Sequence, residues 1–179
     1  MTENLHYDLT EKEVPGWLKE RILRLYYERN FFVKYLRITI MDFYEGEVRI
    51  SMDVRHELTN LVKTLHGGAV ASMLDVAMNL ACASLQKRVL VLEFNTNFTR
   101  GAKEGNTVYA LSKVIHNGKR TMVVESKVID IEGKIMAQAR GTFFVIGEFH
   151  QEEKEDDKIF ENYFSERPSD EQATDDPAK

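Results

Sequence analysis

AVASMLDVAMNLACASLQ, residues 69–86, is apolar around most of a helical circumference. A helix of that kind has no solvent face of its own and must be enclosed by the rest of the chain. After it come β-type runs: VLVLEFNTNFTR (89–100), TVYALSKVIH (107–116), TMVVESKVID (121–130) and KIMAQARGTFFVIG (134–147). They are separated by Ala102–Asn106, by Asn117-Gly118-Lys119 and by Ile131-Glu132-Gly133. Asn-Gly marks a hairpin, because both positions tolerate positive φ. One enclosed helix followed by an antiparallel meander predicts an α+β fold in which a curved sheet wraps the helix. Alternating βαβ units are absent, which argues against a doubly wound sheet.

Upstream, GEVRISMDV (46–54) sets Val48, Ile50, Met52 and Val54 on one face and Arg49, Ser51 and Asp53 on the other, as in a half-buried strand. FFVKYLRITIMDF (31–43) is read as its hairpin partner, turning near Glu45–Gly46. VPGWLKERILRLYYERN (14–30) reads as a helix with Pro15 at its start, where a missing N–H costs nothing. Downstream, Ile159, Phe160, Tyr163 and Phe164 form one apolar stripe on an acidic segment, a short amphipathic helix. Past Pro168 the chain has nothing to bury and is expected to be disordered. The expected organisation is an N-terminal extension (1–30), a single domain (31–147) and an acidic tail (148–179).

The 179 residues suffice for one domain. The net charge of −5 is unevenly spread: residues 148–179 carry 12 acidic and 4 basic side chains, the remainder 17 and 20. A mildly basic body suits a phosphorylated ligand but lacks the concentrated positive surface of a nucleic-acid binder. No apolar run is long enough to span a bilayer. The segment MTENLHYDLTEKE has neither the basic nor the apolar region of a secretory signal, so a cytoplasmic protein is expected. A single cysteine, Cys82, cannot form an intrachain disulfide, and no metal site is expected.

Two features carry chemistry. Asp75 interrupts the most apolar helix, where an ionised carboxylate needs compensation or an open site. It also belongs to a polar stripe with Ser72, Asn79 and Cys82 that could simply face solvent, with Asn79 bonded to Asp75. Leu65-His66-Gly67-Gly68 precedes the helix, and the first helical N–H groups there can hold a developing oxyanion. Asp75 lies nine residues after His66, about 180° further round an ideal helix. The two would therefore meet across a two-fold interface more readily than within one chain.

Asn60-Leu61-Val62-Lys63-Thr64-Leu65-His66-Gly67-Gly68, followed by Asp75, resembles the signature of hotdog-fold thioesterases, closest to the phenylacetate-degradation (PaaI-like) branch. The resemblance continues through EFNTNFTRGAKEG, HNGKR and DIEGKIMAQARGTFFV, covering about residues 31–146. It implies hydrolysis of an acyl- or aryl-CoA thioester at a subunit interface. The carboxylate of Asp75 would act as nucleophile or general base, and the Gly67 N–H would polarise the carbonyl. Asn60 and His66 would position the thioester or water. Gly68, Arg100, Lys103, Lys119 and Arg120 are candidates for substrate binding, the four cations for the coenzyme A phosphates. The resemblance implies a homodimer, with dimers often pairing into tetramers, and no cofactor beyond the coenzyme A of the substrate. Relatives often carry Ser or Thr where this chain has Val91, four residues before Asn95, which leaves room for a non-catalytic acyl-CoA binding protein on the same fold. A hydratase would need a different His–acid arrangement, and an interaction role would rest on the acidic tail. Phe31, Phe32, Tyr35, Met73 and Phe94 are candidates for the acyl pocket or for core.

Overall fold

The computed structural model describes residues 12–152; the stripe at Ile159–Phe164 and the far tail lie outside them. The element order is α1 (Gly16–Arg24), a π-helical turn (Leu25–Arg29), α2 (Phe31–Leu36), β1 (Thr39–Tyr44), β2 (Glu47–Asp53), α3 (Gly67–Ala83), β3 (Lys87–Phe98), β4 (Thr107–Asn117), β5 (Thr121–Ile129) and β6 (Ile135–Glu148). A six-stranded antiparallel sheet, ordered β1-β2-β4-β5-β6-β3, packs one face on α3.

The enclosed helix is where the sequence placed it. Met73, Leu74, Ala77, Met78, Leu80, Ala81 and Cys82 are fully buried. The sheet supplies Val48, Ile50, Met52, Val108, Ala110, Met122, Val124, Val128 and Phe143 on one side. The N-terminal layer supplies Leu18, Ile22, Val33 and Leu36. Close packing of α3 on the sheet demands a glycine. A Cβ on Gly141 would lie 2.9 Å from the Phe143 ring, 3.1 Å from Phe94 Cβ and 3.2 Å from Met78 Sδ.

Three expectations are corrected. Residues 31–36 are helix, not the start of a strand. Asn30 caps them by accepting from the Val33 N–H at 3.0 Å, Val33 and Leu36 bury at helical spacing, and Arg37 ends the turn at φ 53. The sheet is not a simple meander either. β3 pairs with β6 at an edge, from Lys87↔Glu148 to Phe98↔Ala137, while β4 enters beside β2. The helix α3 thus carries the chain across the inner face from β2 to the far edge. The reversal is long-range and leaves no local mark in β3. Finally, Gly118 in the Asn-Gly turn is absent from the positive-φ residues. It is there for room: a Cβ would sit 2.7 Å from both His116 Nε2 and the Thr121 carbonyl oxygen. Positive φ is used instead at Gly46 (77°), in the β1–β2 turn, and Gly133 (76°), in the β5–β6 turn.

Candidate active site

The segment between β2 and α3 is held by its own polar side chains. Asn60 Oδ1 accepts from the Val62 and Thr64 N–H groups at 3.0 and 3.1 Å, and its Nδ2 donates to Thr64 Oγ1 at 2.9 Å. The Leu65 N–H donates to the Ala102 carbonyl at 2.7 Å, and the His66 N–H to the Leu58 carbonyl at 2.8 Å. Asn60 therefore fixes the loop that delivers His66, in addition to any contact it makes with a ligand.

His66 is the N-cap of α3. Its Nδ1 accepts from the Gly68 N–H at 2.9 Å. In the neutral ring this places the remaining proton on Nε2, which is then a donor directed away from the cap. A Cβ on Gly68 would stand 3.1 Å from that Nδ1, so a side chain there would press the capping imidazole aside by a few tenths of an ångström. The Gly67 N–H opens the helix, where no preceding turn supplies an intrahelical acceptor. Its Cα borders the Phe98 ring, 3.7 Å from a notional Cβ.

Asp75 is half-buried on α3, with the Asn79 amide donating to its Oδ1 and to its backbone carbonyl, both at 3.1 Å. Burial pushes its carboxyl above the ordinary aspartate value, and the Asn79 hydrogen bond opposes this only in part. The stripe containing it is not a solvated face. Ser72, Asp75 and Asn79 are half-buried and Cys82 is fully buried, its thiol pushed up to about 12 by desolvation. Tyr26, on the π-helical turn, belongs to the layer over this end. Burial raises its phenol first, and the nearby Asp75 and Cys82 add to the effect. Residue-by-residue periodicity in α1 could not place Tyr26 here, because the π-helical turn shifts the helical phase beyond Arg24.

Among the described residues no hydrogen bond joins Asp75 to His66 or Gly67 in the chain. Arg100 and Lys103 lie beside the His66 loop: Lys103 bridges Thr64, and Gly101 packs on the Thr64 side chain. Lys119 and Arg120 sit in the β4–β5 turn, at the other end of eleven-residue β4, about 35 Å away at 3.3 Å per residue. The two pairs of cations would have to come from different copies to meet one ligand. Val91 is 41% exposed on β3, beside exposed Leu92. Phe31, Phe32 and Tyr35 are exposed on α2, whereas Met73 is core and Phe94 half-buried.

Known proteins share this fold. Residues 62–137 match the family described as the thioesterase superfamily. The chain is 31% identical over 121 residues to acyl-coenzyme A thioesterase PaaI of Escherichia coli, covering 68% of this chain and 86% of that one. It is 30% identical over 128 residues to human acyl-coenzyme A thioesterase 13, covering 70% and 91%. Among solved structures, E. coli PaaI superposes with a TM-score of 0.71 at 27% identity, covering 76% of this chain and 98% of that one. A Streptococcus mutans protein solved with acetyl-CoA bound gives 0.62 at 25%, covering 63% and 91%. The family match takes in α3, β3, β4, β5 and the start of β6, and the chain belongs to the thioesterase superfamily, as a hotdog-fold member of the PaaI-like branch.

Proposed function

We propose that this protein hydrolyses acyl-CoA thioesters at sites formed between two copies of the chain, Asp75 coming from one and His66-Gly67 from the other. The observation that carries the reading is the pairing of two half-sites on one helix that do not meet within the chain. One is a desolvated carboxylate on an otherwise apolar helix; the other is an outward-facing amide at that helix's start. Thioester hydrolysis needs a base or nucleophile and a donor for the carbonyl oxygen. The ionised Asp75 carboxylate either attacks the carbonyl carbon or removes a proton from the attacking water. The Gly67 N–H stabilises the oxyanion, the C–S bond breaks, and the thiolate leaves to take up a proton. In the first route water then cleaves the acyl–Asp75 anhydride and restores the carboxylate; in the second the proton that Asp75 took from water ends on sulfur. Nε2–H of His66 orients the thioester or water, and Asn60 keeps the loop rigid. Arg100 and Lys103, beside the His66 loop, suit the coenzyme A phosphates, with Lys119 and Arg120 supplied by another copy. Relatives named acyl-CoA thioesterases and a related structure holding acetyl-CoA support this substrate class.

The test is free-thiol release from a panel of aliphatic and aryl acyl-CoAs. Wild type should turn over part of the panel, and Asp75→Asn should lose about a hundredfold or more in kcat, the usual worth of a positioned base. Binding of acyl-CoA without turnover in wild type would instead favour a sensor, the role that the aliphatic Val91 leaves open.

A further inference from the structure

Asn79 lies one turn beyond Asp75 on α3 and is half-buried on the same stripe. Asparagine suits a helix interior poorly, because its amide competes for backbone groups, and a half-buried amide needs partners of its own. Among the described residues that amide donates to Asp75 and to nothing else: Nδ2 stands 3.1 Å from Oδ1 and 3.1 Å from the Asp75 backbone carbonyl oxygen. The second bond anchors the amide, since that oxygen is part of the helix. The first then anchors the carboxylate, whose terminal torsion is otherwise soft. The two carboxylate oxygens end up unlike. Oδ1 is held, whereas Oδ2 has no hydrogen bond among the described residues and is not sealed from solvent.

We propose that Asn79 is a positioning residue: it ties Oδ1 of Asp75 to α3 and leaves Oδ2 as the oxygen that reacts. The reacting role rests on the proposed hydrolysis; the tie itself does not. In the nucleophilic route Oδ2 forms the bond to the carbonyl carbon, the C–S bond breaks to give a thiolate, and water then cleaves the anhydride. In the general-base route Oδ2 takes a proton from the attacking water, and that proton ends on sulfur. Either way Oδ1 keeps its donor, and a carboxylate set before the substrate arrives needs no reorientation at the moment of reaction. The bond also favours the ionised form, because the amide donates to a carboxylate oxygen, while burial acts more strongly the other way. Tyr26, from the π-helical turn, lies near Asp75, with Cys82 of α3 also near Tyr26; burial pushes both groups up, so neither is charged at neutral pH. In the proposed site His66 of the second copy joins them.

Asn79→Ala and Asn79→Gln test this beside Asp75→Asn. Alanine is the better helix former, so the fold should hold, and glutamine keeps an amide that reaches back one turn. On the plateau well above the acid limb, Asp75 is ionised in every variant that retains it. There Asn79→Ala should lose about tenfold in kcat, the usual scale for losing a hydrogen bond to a charged group, with KM nearly unchanged. Asn79→Gln should lie between that variant and wild type. The acid limb of kcat/KM should move to higher pH in Asn79→Ala. So should the titration of the Asp75 carboxyl carbon followed by NMR, its signal assigned by its absence in Asp75→Asn. A plateau kcat equal to wild type would reduce Asn79 to a partner for a half-buried carboxylate and overturn the positioning role. A carboxyl titration that stays in place in Asn79→Ala would overturn the tie itself. A wild type that releases no thiol sinks the hydrolase reading alone, since the carboxyl titration still decides whether Asn79 holds Asp75.

Discussion

At Asp75 the proposed catalytic role runs against stability. Because burial raises its carboxyl, the folded chain holds that proton more tightly than the unfolded chain does. The stability this confers is present below the unfolded value and is lost as pH rises through the folded value. At neutral pH the ionised carboxylate is therefore a cost to the fold. Asp75→Asn should melt above wild type at pH 7, and the gap should close as the pH drops below the ordinary aspartate range. Differential scanning calorimetry across that range checks it. The same direction applies to turnover. If the ionised form is required, the acid limb of kcat/KM should lie above an unperturbed aspartate, and a limb at the ordinary value would contradict a buried catalytic carboxylate. His66 and Gly68 act together at this scale. Gly68→Ala presses on the capping imidazole at 3.1 Å, so turnover should fall by more than the small change in melting temperature would suggest.

At the scale of elements, the decisive contact is α3 on the sheet. Gly141 lets the helix approach β6, and any Cβ there would strike Phe143, Phe94 and Met78 together. Of these only Met78 ends in a flexible chain. Gly141→Ala should cost about 1–3 kcal/mol by overpacking, read from urea denaturation. The corresponding change at Gly67, which has 3.7 Å to spare against Phe98, should be tolerated by the fold. The N-terminal layer is the second contact of note. A π-helical turn joins α1 to α2, and Tyr26 on it lies near both Asp75 and Cys82. Along the polar stripe of α3, Ser72 and Asp75 are half-buried and Cys82 is fully buried. The desolvated thiol should accordingly resist alkylation in the native state and react only on unfolding.

For the whole molecule, the geometry of α3 makes a two-chain site the economical solution. In the proposed site, an isologous two-fold interface would bring the start of one helix to the middle of the other and would produce two equivalent sites. Complementation tests this directly. Asp75→Asn and His66→Ala homodimers should each be nearly inactive. After co-refolding, half of the dimers should be mixed, each with one intact site, so activity should recover to roughly a quarter of wild type. Failure to recover, with mixing verified by mass, would place both groups in one chain.

The enclosed helix, the strand runs after it and the His-Gly-Gly…Asp spacing were legible from the residues, because apolar periodicity and local turn chemistry act over a few positions. The strand reading of residues 31–36 went astray because their aromatic content resembles a strand, while the cap at Asn30 and the left-handed Arg37 that make them a helix are set by backbone geometry. The position of β3 at the sheet edge and the reason for glycine at 118 were decided by tertiary structure alone. Pairing partners that lie tens of residues apart are selected by how the whole sheet closes over α3, and no window of sequence contains that information.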